Sequence, residues 1–171
     1  MLACNMPIAE IVDNPLNNPT TEEEDQEIQQ IHPPIEKKLY GLILEYARAD
    51  TVLVAAKHDE ARNRFASVNK ASIATSASIS QAFRFLLLTR LGFEFVCKPD
   101  TDAFQVPLHI KGLKVLSQRF IKAAHSNKIA VHPWIINDKK TMKRLIKMGV
   151  DGIITDYPDR LYEVLVRLGR R

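Results

Sequence analysis

The side chains of this sequence best equipped for chemistry stand singly, in different segments of the chain. Glu10 sits in the middle of Ile8-Ala-Glu-Ile-Val12, where a carboxylate in a short apolar run is either an exposed edge residue or a group with a task. Lys57 follows the apolar run Thr51 to Ala56, at a strand-to-helix turn where it faces either water or an anion. His58 and Asp59 come next. Metal sites take three or four convergent ligands, so one His beside one Asp at a helix start reads as a cap. Glu22, Glu23 and Glu24 could attract a cation, but they lie in the first turn of a helix opened by Thr20-Thr-Glu-Glu23. A solvated acidic turn beside the positive end of the helix dipole accounts for them. Gln105, within Ala-Phe-Gln-Val-Pro, is either a polar wall of a pocket or a structural amide. Trp134, the single tryptophan, is either an apolar pocket wall or core, and Asn137 follows it by three positions. His125 falls at a helix end and reads as packing, and Cys4 and Cys97 make neither a metal-type pair nor a disulfide framework.

Alternating strands and helices must position these groups. Apolar, strand-like segments centre near residues 10, 54, 73, 105, 131 and 154, and the runs Ile129 to Ile136 and Gly152 to Thr155 are too apolar to alternate. Strands buried on both faces are parallel ones covered by helices. Helical patterns lie between them: Thr20 to Gln30; Ile35 to Arg48, with a stripe of Leu39, Leu42, Ile43, Tyr46 and Ala47; a segment opened at His58; Phe83 to Leu91, begun by the capping box Ser78-Ile-Ser-Gln81 and stopped at Gly92; and Ser117 to Asn127, with Phe120, Ile121 and Ala124 inward. Met142, Leu145, Ile146 and Met148 define a further helix ended by Gly149. Pro158 and Asp159 open the last one. His109 to Gly112 reads as a loop, Cys97 to Asp102 as an irregular crossing, and Ala71 to Thr75 as a strand. Such a βα repeat closes into a TIM-type barrel whose functional groups follow the strands' C-terminal ends. Six strands in 171 residues fall short of the eight in a barrel of about 250, so the fold class is α/β, an incomplete (β/α) barrel.

A composition of 46% hydrophobic and 26% charged residues is that of one globular domain, taken here as 1–171. The net charge of +4 is spread along helices, which argues against a nucleic-acid surface. No stretch reaches the apolar length of a membrane span, and the opening Met-Leu-Ala-Cys-Asn-Met-Pro lacks the basic and apolar regions of a signal peptide. The expected location is therefore the cytoplasm.

The end of the chain carries a specific resemblance. Trp134-x-x-Asn137-Asp138, then Met142-x-x-Leu145, then Gly149-Val-Asp-Gly-Ile-Ile-Thr-Asp156-x-Pro158, resembles the C-terminal phrase "HVWTVND...M..L...GVDGIITD.P" of the glycerophosphodiester phosphodiesterase family. Ile135 stands where the family usually has Thr, and Pro133 precedes the Trp. Ala103 to Pro107 is similar to the family's "ALQVP". The segment around Glu10 is similar to its "IEIK", with Val12 in place of the Lys.

The resemblance implies a metal-dependent phosphoric diester hydrolase that converts glycerophosphodiesters to glycerol 3-phosphate and an alcohol. It makes Glu10 a ligand of a divalent cation, Ca or Mg, and Trp134 an apolar wall of the substrate pocket. Asn137 supports the pocket loop, and Gln105 and Lys57 are lesser substrate contacts, Lys57 replacing the charge absent at Val12. The similarity aligns with the last six of the family's eight strands. The family's "HRG" and "PENT" segments, its paired acidic ligands and its second catalytic "HD" have no counterpart here, so no catalytic residue is assigned. Two readings stay open: the C-terminal portion of a longer or split enzyme, inactive alone, or a non-catalytic remnant acting through partner binding. Either leaves open sheet edges for a complementing chain or for self-association. A third reading, another phosphate-binding barrel with Gly149 to Thr155 lining an anion pocket, lacks a glycine-rich cradle.

Overall fold

The computed structural model describes residues 8–11, 35–93, 96, 98–110 and 112–170, the first of these spans as backbone only. The expected helix from Thr20 to Gln30, Val12, Cys4, Cys97 and the Glu22–Glu24 cluster lie outside the described residues. The chain divides into two compact units, residues 6–74 and, in the main, residues 75–171.

In the unit of residues 6–74, β1 (Ile8–Ile11) runs parallel to β2 (Leu53–Ala56), with Glu10 opposite Ala55, and Ala74 opens the two-residue strand β3 (Ala74–Thr75). Between them lie α1 (Ile35–Glu45) and α2 (Asp59–Val68), packed around Ile43, Val52, Val54, Phe65 and Ile73. The α1 stripe differs from expectation. Leu42 and Tyr46 are exposed, whereas Glu36 is 2% exposed and accepts a 2.7 Å hydrogen bond from Arg64 Nε of α2. The charged pair turns a polar position inward. The helix ends early because Ala47 adopts φ 50°, a left-handed conformation that breaks the helical path. Similarly, β3 is shorter than Ala71 to Thr75. The Asn69 side chain bonds both the N–H and the carbonyl of Ile73, at 2.8 and 2.7 Å, and holds that stretch as a turn.

In the second unit β4 (Ala103–Pro107) runs parallel to β7 (Ala130–Trp134), in the register Phe104 to Val131, Gln105 to His132 and Pro107 to Trp134. Ser76, just past β3, bridges to Ala103. Between β4 and β7 the expected loop is a small hairpin, β5 (His109–Ile110) with β6 (Leu113–Lys114), whose turn places Gly112 at φ 79°. Four helices complete the unit: α3 (Ile79–Leu91), α4 (Gln118–Ser126), α5 (Lys139–Met148) and α6 (Pro158–Arg167). Most of their ends follow the local chemistry read from the sequence: Ser78 and Gln81 form both bonds of a capping box, Ser117 accepts from Phe120 N, and Gly92 and Gly149 close α3 and α5 with positive φ. The structure adds Asp138, which caps α5 by accepting from Thr141 N. The helix-covered side of the strands buries Phe85, Phe104 and Phe120, with ring centroids 4.7 to 5.3 Å apart, together with Val106, Val131, Met142 and Leu145.

The expected strand from Gly152 to Thr155 is not a regular strand. The segment runs along β7, with Asp151 N donating to Val131 O (3.1 Å) and Ile154 N to Pro133 O (3.0 Å). A parallel ladder needs donors from both strands. On β7, Pro133 has no N–H, and the N–H of Val131 goes to the Asp151 carboxylate at 2.8 Å. A single return bond, from Ile136 N to Ile154 O at 3.0 Å, comes from beyond the end of β7, so the segment is extended but not regularly laddered.

Candidate functional site

Strand alternation decides which side chains can meet a ligand. Phe104, Val106 and Val131 belong to the helix-covered core, so Ala103, Gln105 and Pro107 of β4, with Ala130, His132 and Trp134 of β7, share the opposite face. Trp134 ends β7 and is 41% exposed, as befits a wall at a strand's C-terminal end. One layer below, Gln105 and His132 stand opposite each other. His132 is 7% exposed, and the Nε2 atoms of both residues are buried without a hydrogen-bond partner among the described residues. Burial pushes the imidazole below its usual range, outweighing the opposite pull of the Asp151 carboxylate. Sequence reasoning passed over His132 because it lies in an apolar run. The available signal was the resemblance itself, because His132 aligns with the His that opens the family phrase "HVWTVND".

The Gly149-Val-Asp-Gly152 motif serves this layer. Gly149 supplies the left-handed helix end at φ 91°, and Val150 is buried. Asp151 Oδ2 accepts from Val131 N and lies 2.8 Å from Nε2 of His125, so His125 is an exposed anchor and not packing alone. Gly152 lies against the imidazole, where an added Cβ would stand 3.0 Å from His132 Cδ2. That glycine accommodates a side chain, which removes the case for it as part of an anion cradle.

Asn137 fastens the loop after β7 to the loop before α6. Its Oδ1 accepts from Thr155 Oγ1 and Asp156 N, both at 3.1 Å, its Nδ2 donates to Asp156 Oδ2 at 2.8 Å, and its carbonyl accepts from Arg160 at 3.0 Å. The amide is thus engaged at both ends. Arg160 also lies 3.8 Å over the Tyr157 ring.

In the unit of residues 6–74, Lys57 is exposed just past the C-terminal end of β2, and the backbone of Glu10 pairs with Ala55, two positions before it. His58 stands at the N-terminal boundary of α2, as expected, but its side chain makes no capping hydrogen bond. No group of three or more His, Cys, Asp or Glu able to hold a metal ion occurs among the described residues. A hard cation such as Ca or Mg takes six or more oxygens, so the described side chains do not by themselves fit one. A surface depression of about 260 Å³ between α5 and α6, lined by Lys139, Lys143, Glu163 and Arg167, contains none of the strand-end residues. No helix of the described residues is long and apolar enough to cross a membrane.

Residues 16–160 match the sequence profile of the glycerophosphoryl diester phosphodiesterase family. The chain belongs to this family. Among similar proteins, a probable glycerophosphodiester phosphodiesterase 2 of Mycobacterium tuberculosis is 29% identical over 121 residues, covering 69% of this chain and 46% of its own. A glycerophosphodiester phosphodiesterase of Bacillus altitudinis is 27% identical over 138 residues, 78% of this chain and 50% of its own. The chain thus spans about half the length of these phosphodiesterase relatives. The solved glycerophosphoryl diester phosphodiesterase domain of another M. tuberculosis protein superposes with a TM-score of 0.64 at 11% identity, over 84% of this chain and 62% of that one. The fold is therefore the phosphodiesterase family's (β/α) barrel, of which the described residues carry an incomplete set of strands.

Proposed function

We propose that this chain forms the C-terminal part of a glycerophosphodiester-binding site. In a completed enzyme that site serves metal-dependent hydrolysis to glycerol 3-phosphate and an alcohol. The observation that carries the reading is the half-exposed Trp134 at the C-terminal end of β7, above Gln105 on the same sheet face. In the unit of residues 75–171 Trp134 provides the apolar wall, Gln105 a polar contact and Asn137 the bracing of the loop; in the unit of residues 6–74, taken by itself, Lys57 offers a cation to a phosphodiester. Glu10 contributes one carboxylate toward the divalent cation, Ca or Mg, whose other oxygens the described residues do not supply. Residues 1–171 act as one phosphodiesterase-like domain in the cytoplasm, completed by further polypeptide or by self-association along open strand edges.

Intrinsic fluorescence tests the reading directly, because Trp134 is the single tryptophan. Glycerophosphocholine is expected to change the emission saturably, while the isolated chain with Ca or Mg shows no turnover above a chelator control. Absence of a fluorescence response overturns the binding role. Chelator-sensitive turnover overturns the inactivity of the chain alone.

A further inference from the structure

We infer that Gln105 and His132 form a floor one layer beneath Trp134 on its sheet face and there hydrogen-bond a neutral, hydroxyl-bearing group of the polyol class, not phosphate. This rests on the reading of the chain as a glycerophosphodiester-binding unit and assigns the glycerol end of that substrate to a defined pair.

Register and alternation put the two side chains opposite each other on the face that carries Trp134, one layer deeper. Both Nε2 atoms are buried and unpartnered among the described residues, and a buried polar atom left unpaired costs about 1–3 kcal/mol. Two such atoms in one layer point to a shared partner. The space for the imidazole is built in, since Gly152 lacks the Cβ that would strike the ring.

The chemical class follows from what the face lacks. Ala103, Gln105, Pro107, Ala130, His132 and Trp134 include no lysine, arginine or carboxylate, so these two strands offer a buried phosphate no counter-charge. A glutamine amide donates and accepts, and a neutral imidazole has one nitrogen of each kind. A hydroxyl both donates and accepts, and a polyol presents several at short spacing. The C–H edges of such a chain lie naturally against the indole above.

The test is nitrogen-detected NMR of the intact chain, following the Gln105 side-chain amide and the His132 ring during separate titrations with glycerol and with inorganic phosphate. Glycerol is expected to shift both signals saturably and phosphate to shift neither. Gln105→Met, which preserves volume, weakens the glycerol response about tenfold, the worth of roughly one hydrogen bond. Gly152→Ala, which crowds the ring, weakens it as well. Signals unmoved by glycerol, as for a floor filled by structural water, overturn the inference, and so does a response to phosphate in place of glycerol. A Trp134 response to glycerophosphocholine with a silent floor overturns only the floor. A responsive floor with no binding of the diester overturns only the substrate reading.

Discussion

Gly152 is a glycine because His132 occupies the space of its side chain. A Cβ at that position would lie 3.0 Å from the ring's Cδ2, 3.4 Å from Nε2 and 3.5 Å from Cγ. The backbone itself does not demand glycine, since Gly152 is not among the positive-φ residues. The ring is buried and has little room to retreat. Gly152→Ala is therefore expected to destabilise the chain by about 1–2 kcal/mol, as overpacking does. A variant whose urea midpoint matches the parent's would refute the contact.

Because burial lowers the pKa of His132, the folded state resists its protonation while the unfolded chain takes up a proton near the ordinary value of 6.5. The unfolded state binds more protons below that pH, so stability is fully present above 6.5 and declines as pH falls toward the folded value. The Asp151 carboxylate opposes the effect without cancelling it. Denaturant titrations at a series of pH values are expected to show this slope, and His132→Gln to flatten it.

Glu36, at 2% exposure, depends on Arg64, whose own side chain is 47% exposed. The Glu36 hydrogen bond, against a smaller cost of burial, raises the pKa of the guanidinium. Arg64→Met leaves a buried carboxylate unpaired, an expected loss of about 1–3 kcal/mol. Double substitution with Glu36→Gln should recover part of that loss. Hydrogen exchange of α1 and α2 amides would locate the effect, and unchanged protection would contradict it.

The Thr141 amide, and to a smaller extent its side chain, holds Asp138 below the usual carboxylate range, so the cap's contribution is present at neutral pH and fades as acid protonates the group. Asp138→Ala should cost about 1 kcal/mol. Its effect on thermal midpoint should shrink below pH 4, measured by circular dichroism, because 3.8 is the ordinary carboxyl value.

Asn137→Ala removes the bonds that join the β7 loop to Thr155 and Asp156. The expected result is about a tenfold weaker fluorescence response to glycerophosphocholine with global stability reduced by no more than about 1–2 kcal/mol. Equal affinity in parent and variant would show that the loop needs no such brace.

What the sequence by itself determined was local. Ser78 with Gln81, Ser117, Gly92 and Gly149 mark helix ends because each acts on backbone groups within a few residues, and the structure uses all of them at those ends. The βα order and the family resemblance were legible for a similar reason, since both reside in spacing along the chain. The tertiary structure alone decided the rest. His132 looks like one more residue of an apolar strand until pairing with β4 turns it and Gln105 to a common face. Glu36 looks solvent-facing until Arg64 of a separate helix meets it. Gly152 to Thr155 looks like a strand until Pro133 and Asp151 remove two of the donors its ladder needs. In each case the deciding partner lies far away in sequence, and no local pattern specifies which distant group will occupy the space beside a side chain.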